Sequence, residues 1–154
     1  MQTITLNLTG VEFEMGFLRQ VQGIDKYWDV VCVLNIATDV TNLTIRSINS
    51  FFSKRDLTDL YEYLKKHIER SVIDPNHESL TYVNTELGIQ VSALTGDVEM
   101  VDNKNIGGFS IRIMLNVGNE VREGTSVYAG IESYVEVTEV ELFLQKVVRF
   151  INTD

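Results

Sequence analysis

The residues able to do nucleophilic or acid–base chemistry are few. The chain has 154 residues, with 2 histidines and 1 cysteine. His67 and His77 lie close to Ser71 and Ser79, and a serine beside an imidazole is the starting point of an activated nucleophile. Cys32 lies within Val30-Val-Cys-Val-Leu34. Apolar surroundings raise a thiol pKa and keep it inert, the reverse of what a nucleophile needs. Ser53 is accounted for as a helix cap. The helpers that a triad requires are too sparse here, and no catalytic serine or cysteine is expected.

For a metal, the one plausible cluster is His67, His77, Asp74 and Glu78. Its spacing does not match tetrahedral zinc, and no second cysteine is available to help. The plainer reading makes His67 a partner of the helix dipole and His77 a solvated turn residue. Gly107-Gly108 lacks the further glycines, lysine and following helix of a phosphate cradle, so it reads as a turn. No metal site and no cofactor are expected. Paired carboxylates are better represented: Glu12 with Glu14, and Glu132 with Glu136, each share a strand face. Such pairs can split their pKa values and do acid–base work, but they more often mark the wet side of a half-buried sheet.

These groups must be positioned by the surrounding elements. Ile4, Leu6 and Leu8 alternate on one face of a first strand; Val11, Phe13 and Met15 resume the pattern after Gly10, which reads as a turn. Tyr27 to Ala37 and Leu43 to Phe51 are rich in aromatic and β-branched residues, and a loop at 38–42 joins them as a hairpin. The unbroken Val30–Leu34 run indicates a strand central to its sheet.

Ser53-Lys-Arg-Asp56 has the form of a capping box, and Leu57, Leu60, Tyr61, Leu64 and Ile68 then recur at helical spacing. Asp74-Pro75 ends that helix. Strands are expected again at Leu80–Thr85, Ile89–Leu94, Val98–Val101, Phe109–Val117 and Val127–Val137, with loops at 102–108 and 118–124. A second helix begins at Thr138-Glu-Val-Glu141, again a capping box, and carries the stripe Val140, Leu144, Val147 and Ile151.

Successive strands mostly lack a crossover helix. The pattern therefore predicts an α+β fold: a mostly antiparallel meander of about eight strands, with room for a sandwich-like arrangement, one central helix and one C-terminal helix. The helices either cover one sheet face each or share one. Residues 1–154 read as a single domain.

Composition is ordinary, with 44% apolar and 23% charged residues, but the net charge of −9 is not evenly spread. From Ile73 to Glu141 there are 12 acidic and 3 basic residues, a net of −9, while the segments on either side nearly balance. That argues against nucleic acid or an anionic membrane as the partner. It suits solubility or the steering of a basic protein. A lone cysteine points to a reducing compartment. Met1–Gly10 lacks a secretory pattern and no apolar run approaches ~20 residues, so the expected location is the cytoplasm.

Several features occur together in order. Val11-Glu-Phe-Glu14 is followed by Tyr27-Trp28 leading the strand Val30–Ile36, and Phe52-Ser-Lys-Arg-Asp-Leu57 runs into Leu60 and Leu64. Glu78-Ser-Leu-Thr-Tyr82 and a terminal aliphatic helix follow. In this order the chain resembles bacterial immunity proteins of the WapI type, small cytoplasmic partners of polymorphic contact-dependent toxins. The resemblance implies inhibition by tight binding to a basic toxin domain, for example a nuclease, rather than catalysis. The acids Asp97, Glu99, Asp102, Glu120 and Glu123 lie in or beside predicted loops and are the candidate partner-binding residues. Two rival expectations come from other classes. One is an enzyme or small-ligand carrier with a pocket lined by Tyr27, Trp28 and Tyr134. The other is an oligomeric accessory protein that pairs with its twin through an edge strand such as the first.

Overall fold

The computed structural model describes residues 1–21 and 26–153. Their fold is α+β, built from antiparallel sheets and two helices, as the alternation predicts. Strands β1 (Gln2–Leu8), β2 (Val11–Val21) and β3 (Tyr27–Ala37) form a meander, with Thr9-Gly10 as the first tight turn. The next strand is not continuous. β4 (Asn42–Arg46) and β5 (Ser50–Ser53) both pair with β3, one beside each half of it. Ser47 bridges the break: its N–H donates to the Cys32 carbonyl, and its hydroxyl accepts from the Cys32 N–H, each at 2.8 Å. β3 is thus the central strand of the first sheet, with Val30, Val31, Cys32 and Leu34 buried.

Helix α1 (Lys54–Ile73) starts where predicted, with the Ser53–Asp56 capping box formed in both directions. The second sheet has the order β11 (Ser126–Glu136), β10 (Gly108–Asn119), β7 (Ile89–Gly96), β6 (Tyr82–Val83). β6 is much shorter than the Leu80–Thr85 strand expected. β8 (Glu99–Val101) and β9 (Lys104–Ile106) form a separate two-stranded ribbon, and β9 lies inside a stretch read from sequence as loop.

Helix α2 (Val137–Thr153) follows β11 with no intervening residue. Thr138 is therefore inside its first turn and is not the cap. The first helical N–H, that of Val137, donates instead to the Gly107 carbonyl. A tertiary partner replaces the local side chain that the Thr-x-x-Glu pattern offered.

The two larger sheets and both helices feed one contiguous apolar cluster. α2 sets Phe143 against Phe13 and Phe150 against Phe17 and Trp28, with ring centroids 6.5, 4.1 and 5.0 Å apart. α1 faces the second sheet: His67 packs on Phe109 at 4.4 Å, and Tyr63 Oη accepts from the Ala93 N–H. The sheets are stitched at two places. The Ile48 N–H donates to the Asn116 carbonyl, and the Thr9 N–H to the Tyr134 carbonyl. No helix among the described residues is long and apolar enough to cross a membrane.

Candidate functional site

The candidate acids fall into two groups. β10 separates them: its 12 residues span about 36 Å at ~3.3 Å per residue. Asp97, Glu99 and Asp102 lie at the Gly108 end, whereas Glu120 and Glu123 lie in the loop beyond Asn119. The Glu120 carboxylate is turned into its own loop, accepting from the Arg122 and Glu123 N–H groups, while Glu123 is exposed.

At the Gly108 end, Asp97 closes the junction from which the β8–β9 ribbon projects. Its Oδ1 accepts from Tyr134 Oη at 2.8 Å and from the Gly108 N–H at 3.1 Å, and its own N–H donates to the Gly108 carbonyl. The Tyr134 and Gly108 bonds hold its carboxyl below the usual value. Tyr134 is pushed up to about 12, by its own desolvation and then by the same bond. Gly96 is required here, because a Cβ would land on the Gly108 carbonyl and the Phe109 backbone.

Beyond this clamp, Val98 is buried and the ribbon turns through Asp102-Asn103. Both of these residues have left-handed φ values, 50° and 60°, as a two-residue primed turn demands. Asn105 Nδ2 leans on Glu141 of α2 at 3.4 Å. Met100, Val101 and Ile106 remain 58, 45 and 44% exposed, with Glu99 and Asp102 beside them. The result is a pre-formed projection with apolar side chains and a charged margin, in which Glu99 and Asp102 outnumber the exposed Lys104. Sequence reading picked out the acids but not this apolar part. The Asp102-Asn103 pair between short apolar runs was the available signal, and three-residue strands are too short for alternation to show.

His67 and His77 do converge, but not on a metal. Ser79 Oγ is 2.8 Å from His67 Nδ1 and 3.2 Å from His77 Nε2, and Ser71 Oγ is 3.3 Å from His67 Nε2. Asp74 instead accepts from the Asn76 N–H in its own turn. Among the described residues, no group of three or more His, Cys, Asp or Glu side chains is arranged to hold a metal ion. The expectation that His67 serves the helix dipole fails. Its side chain is fully buried, and burial, with His77 beside it, lowers its pKa to about 4, so the ring is neutral. Cys32 behaves as expected, with burial raising its thiol to about 12.

Of the carboxylate pairs, Glu12 and Glu14 do meet. Asn35 Nδ2 reaches both, at 3.4 and 3.1 Å, and Glu14 is raised chiefly by its hydrogen bond with Glu12. Glu132 is instead paired across the strands with Arg112 at 2.7 Å.

The pocket expected from Tyr27, Trp28 and Tyr134 does not form. Trp28 is in the core between Phe17 and Phe150, Tyr134 binds Asp97, and Tyr27 borders an open hollow beside Lys54 and Arg55 at the start of α1. Another cavity, of about 600 Å³, lies between α1 and α2 and is lined by Tyr61, Ile68, Leu144 and Val148 among others. Nor is the β1 edge bare. Lys146 Nζ reaches the Thr5 carbonyl at 3.5 Å, Asn7 binds Glu139, and Thr9 is tied to β11.

Compared with family models, with curated proteins and with solved structures, the chain gives no match.

Proposed function

We propose that this protein is a non-enzymatic binding protein of the immunity type, which neutralises a basic toxin domain by covering its working surface. The observation that carries this reading is the β8–β9 ribbon, where exposed Met100, Val101 and Ile106 stand beside Glu99 and Asp102 on a base clamped by Asp97. Apolar side chains supply affinity once desolvated, and a surrounding margin of charge supplies steering and discrimination. A clamped ribbon also loses little freedom on binding. A toxin that acts on nucleic acid must present a cationic groove, to which an acidic projection is complementary.

The test begins with a pull-down from the native cell and identification of the partner by mass spectrometry. Association is then measured for the double variant E99K/D102K. The expected result is a fall in the association rate of about tenfold or more and a flatter salt dependence. M100A/I106A should instead speed dissociation. Unchanged kinetics in both variants would remove the ribbon from the interface.

A second reading, a small-ligand carrier, is favoured by the cavity between α1 and α2, where the Asn105 side-chain oxygen is buried without a donor. Thermal stabilisation by a small molecule that is lost in L144W, which fills the cavity, would support it.

A further inference from the structure

Two imidazoles, those of His67 and His77, meet at the one hydroxyl of Ser79. Ser79 Oγ lies within hydrogen-bonding distance of His67 Nδ1 and of His77 Nε2, and Ser71 Oγ approaches His67 Nε2 from the following helical turn. With His67 neutral, the three contacts can be satisfied in the following order. Ser71 donates to His67 Nε2, His67 Nδ1–H donates to Ser79, and Ser79 donates to His77. That order requires a neutral His67. Protonation would leave a positive charge on a fully buried ring and would turn the Ser71 hydroxyl from donor to acceptor.

The surroundings offer the imidazolium little compensation. On α1 the neighbouring Lys66 and Arg70 are exposed and basic. From the connecting segment the facing titratable group is His77, also a base, while Asp74 and Glu78 are exposed. β7 contributes only the Leu94 carbonyl and β10 the Phe109 ring. Glu99 on β8, which also meets α1, is exposed.

The segment held by this contact is the edge of the second sheet. The Ser79 N–H donates to the Ala93 carbonyl, Thr81 Oγ1 meets Ser92 Oγ, and β6 continues the pairing to β7 at Tyr82 and Val83. Few apolar contacts support it, since Leu80 is 91% exposed. We propose that His67, His77 and Ser79 form an acid-sensitive latch: His67 takes up a proton more readily once segment 77–81 leaves β7, so acid opens this sheet edge while the rest of the fold stays closed.

His67 goes from an ordinary pKa of 6.5 to about 4 in the closed form, so the open form binds more protons between those values and gains population as pH falls. Between pH 7 and pH 5 the opening constant should rise about 20-fold. The experiment is native-state hydrogen exchange on the full chain, corrected for intrinsic rates. Ser79 amide protection should fall about 20-fold over that range, while the Met15 and Cys32 amides hold theirs.

H67F removes the titrating group within an aromatic shape, and in it the acid loss at Ser79 should vanish. Should H67F not fold, an NMR titration of the wild-type His67 ring decides the matter. A midpoint well below 6.5, with Ser79 moving in step, is expected. A change at Ser79 of less than threefold, or a His67 midpoint near 6.5 with Ser79 undisturbed, overturns the latch.

Discussion

Asp56 offers the sharpest test of how α1 is fixed. Its carboxylate is almost buried and accepts four hydrogen bonds, from the N–H and hydroxyl of Ser53 at 2.8 and 2.7 Å and from the N–H and hydroxyl of Thr85 at 2.8 and 2.7 Å. It therefore caps the helix and ties its start to the turn before β7. Desolvation alone would raise this carboxyl, but the bonds from Ser53 and Thr85 outweigh it and hold it below its ordinary 3.8.

In Asp56→Ala, both hydroxyls can turn to other acceptors. The two backbone N–H groups cannot, and each costs about 1 kcal/mol when left unpaired. The Ser53 hydroxyl still caps the N–H of residue 56, so the sum is about 2 kcal/mol, or about 6 °C in Tm for a chain of this size. Asp59→Ala, which breaks only an exposed pair with Arg55, should cost under about 0.5 kcal/mol. Urea unfolding followed by circular dichroism measures both. Because the folded pKa is depressed, the stabilisation is full above pH 3.8 and fades as pH falls through the folded value, so the two curves should converge in acid. A loss below about 1 kcal/mol in Asp56→Ala, equal to that of Asp59→Ala, would refute the reasoning.

Two further outcomes follow from burial and close approach. The Cys32 thiol, buried and raised to about 12, should resist a disulfide reagent at pH 8 until the protein unfolds; stoichiometric labelling of the native chain within seconds would contradict its placement. Gly96→Ala should destabilise by about 2–3 kcal/mol, because the added methyl meets backbone rather than a movable side chain, and exchange at amides 99–106 should quicken; wild-type stability would show that the junction yields.

Much of the fold was legible because its signals are local. The alternation of Ile4, Leu6 and Leu8, the boundaries of Tyr27–Ala37 and the Ser53–Asp56 cap depend on spacing and turn chemistry within a few residues, and the structure repeats them. The sequence also located the charge: the Ile73–Glu141 segment holds the excess of acids, and it builds the second sheet and the ribbon.

What only the tertiary structure decided concerns partners far apart in the chain. Leu43–Phe51 is split because Ile48 is drawn to Asn116, 68 positions away, and Ser47 can fill the gap. Asp97 reads as a surface acid until Tyr134 and Gly108 are placed beside it. His67 reads as a dipole partner until the Phe109 ring covers it. Periodicity tells which face of an element is apolar, but not which atoms complete the hydrogen bonds of a polar side chain on it. Those bonds set the charge state of a group, and they exist only once the sheets have met.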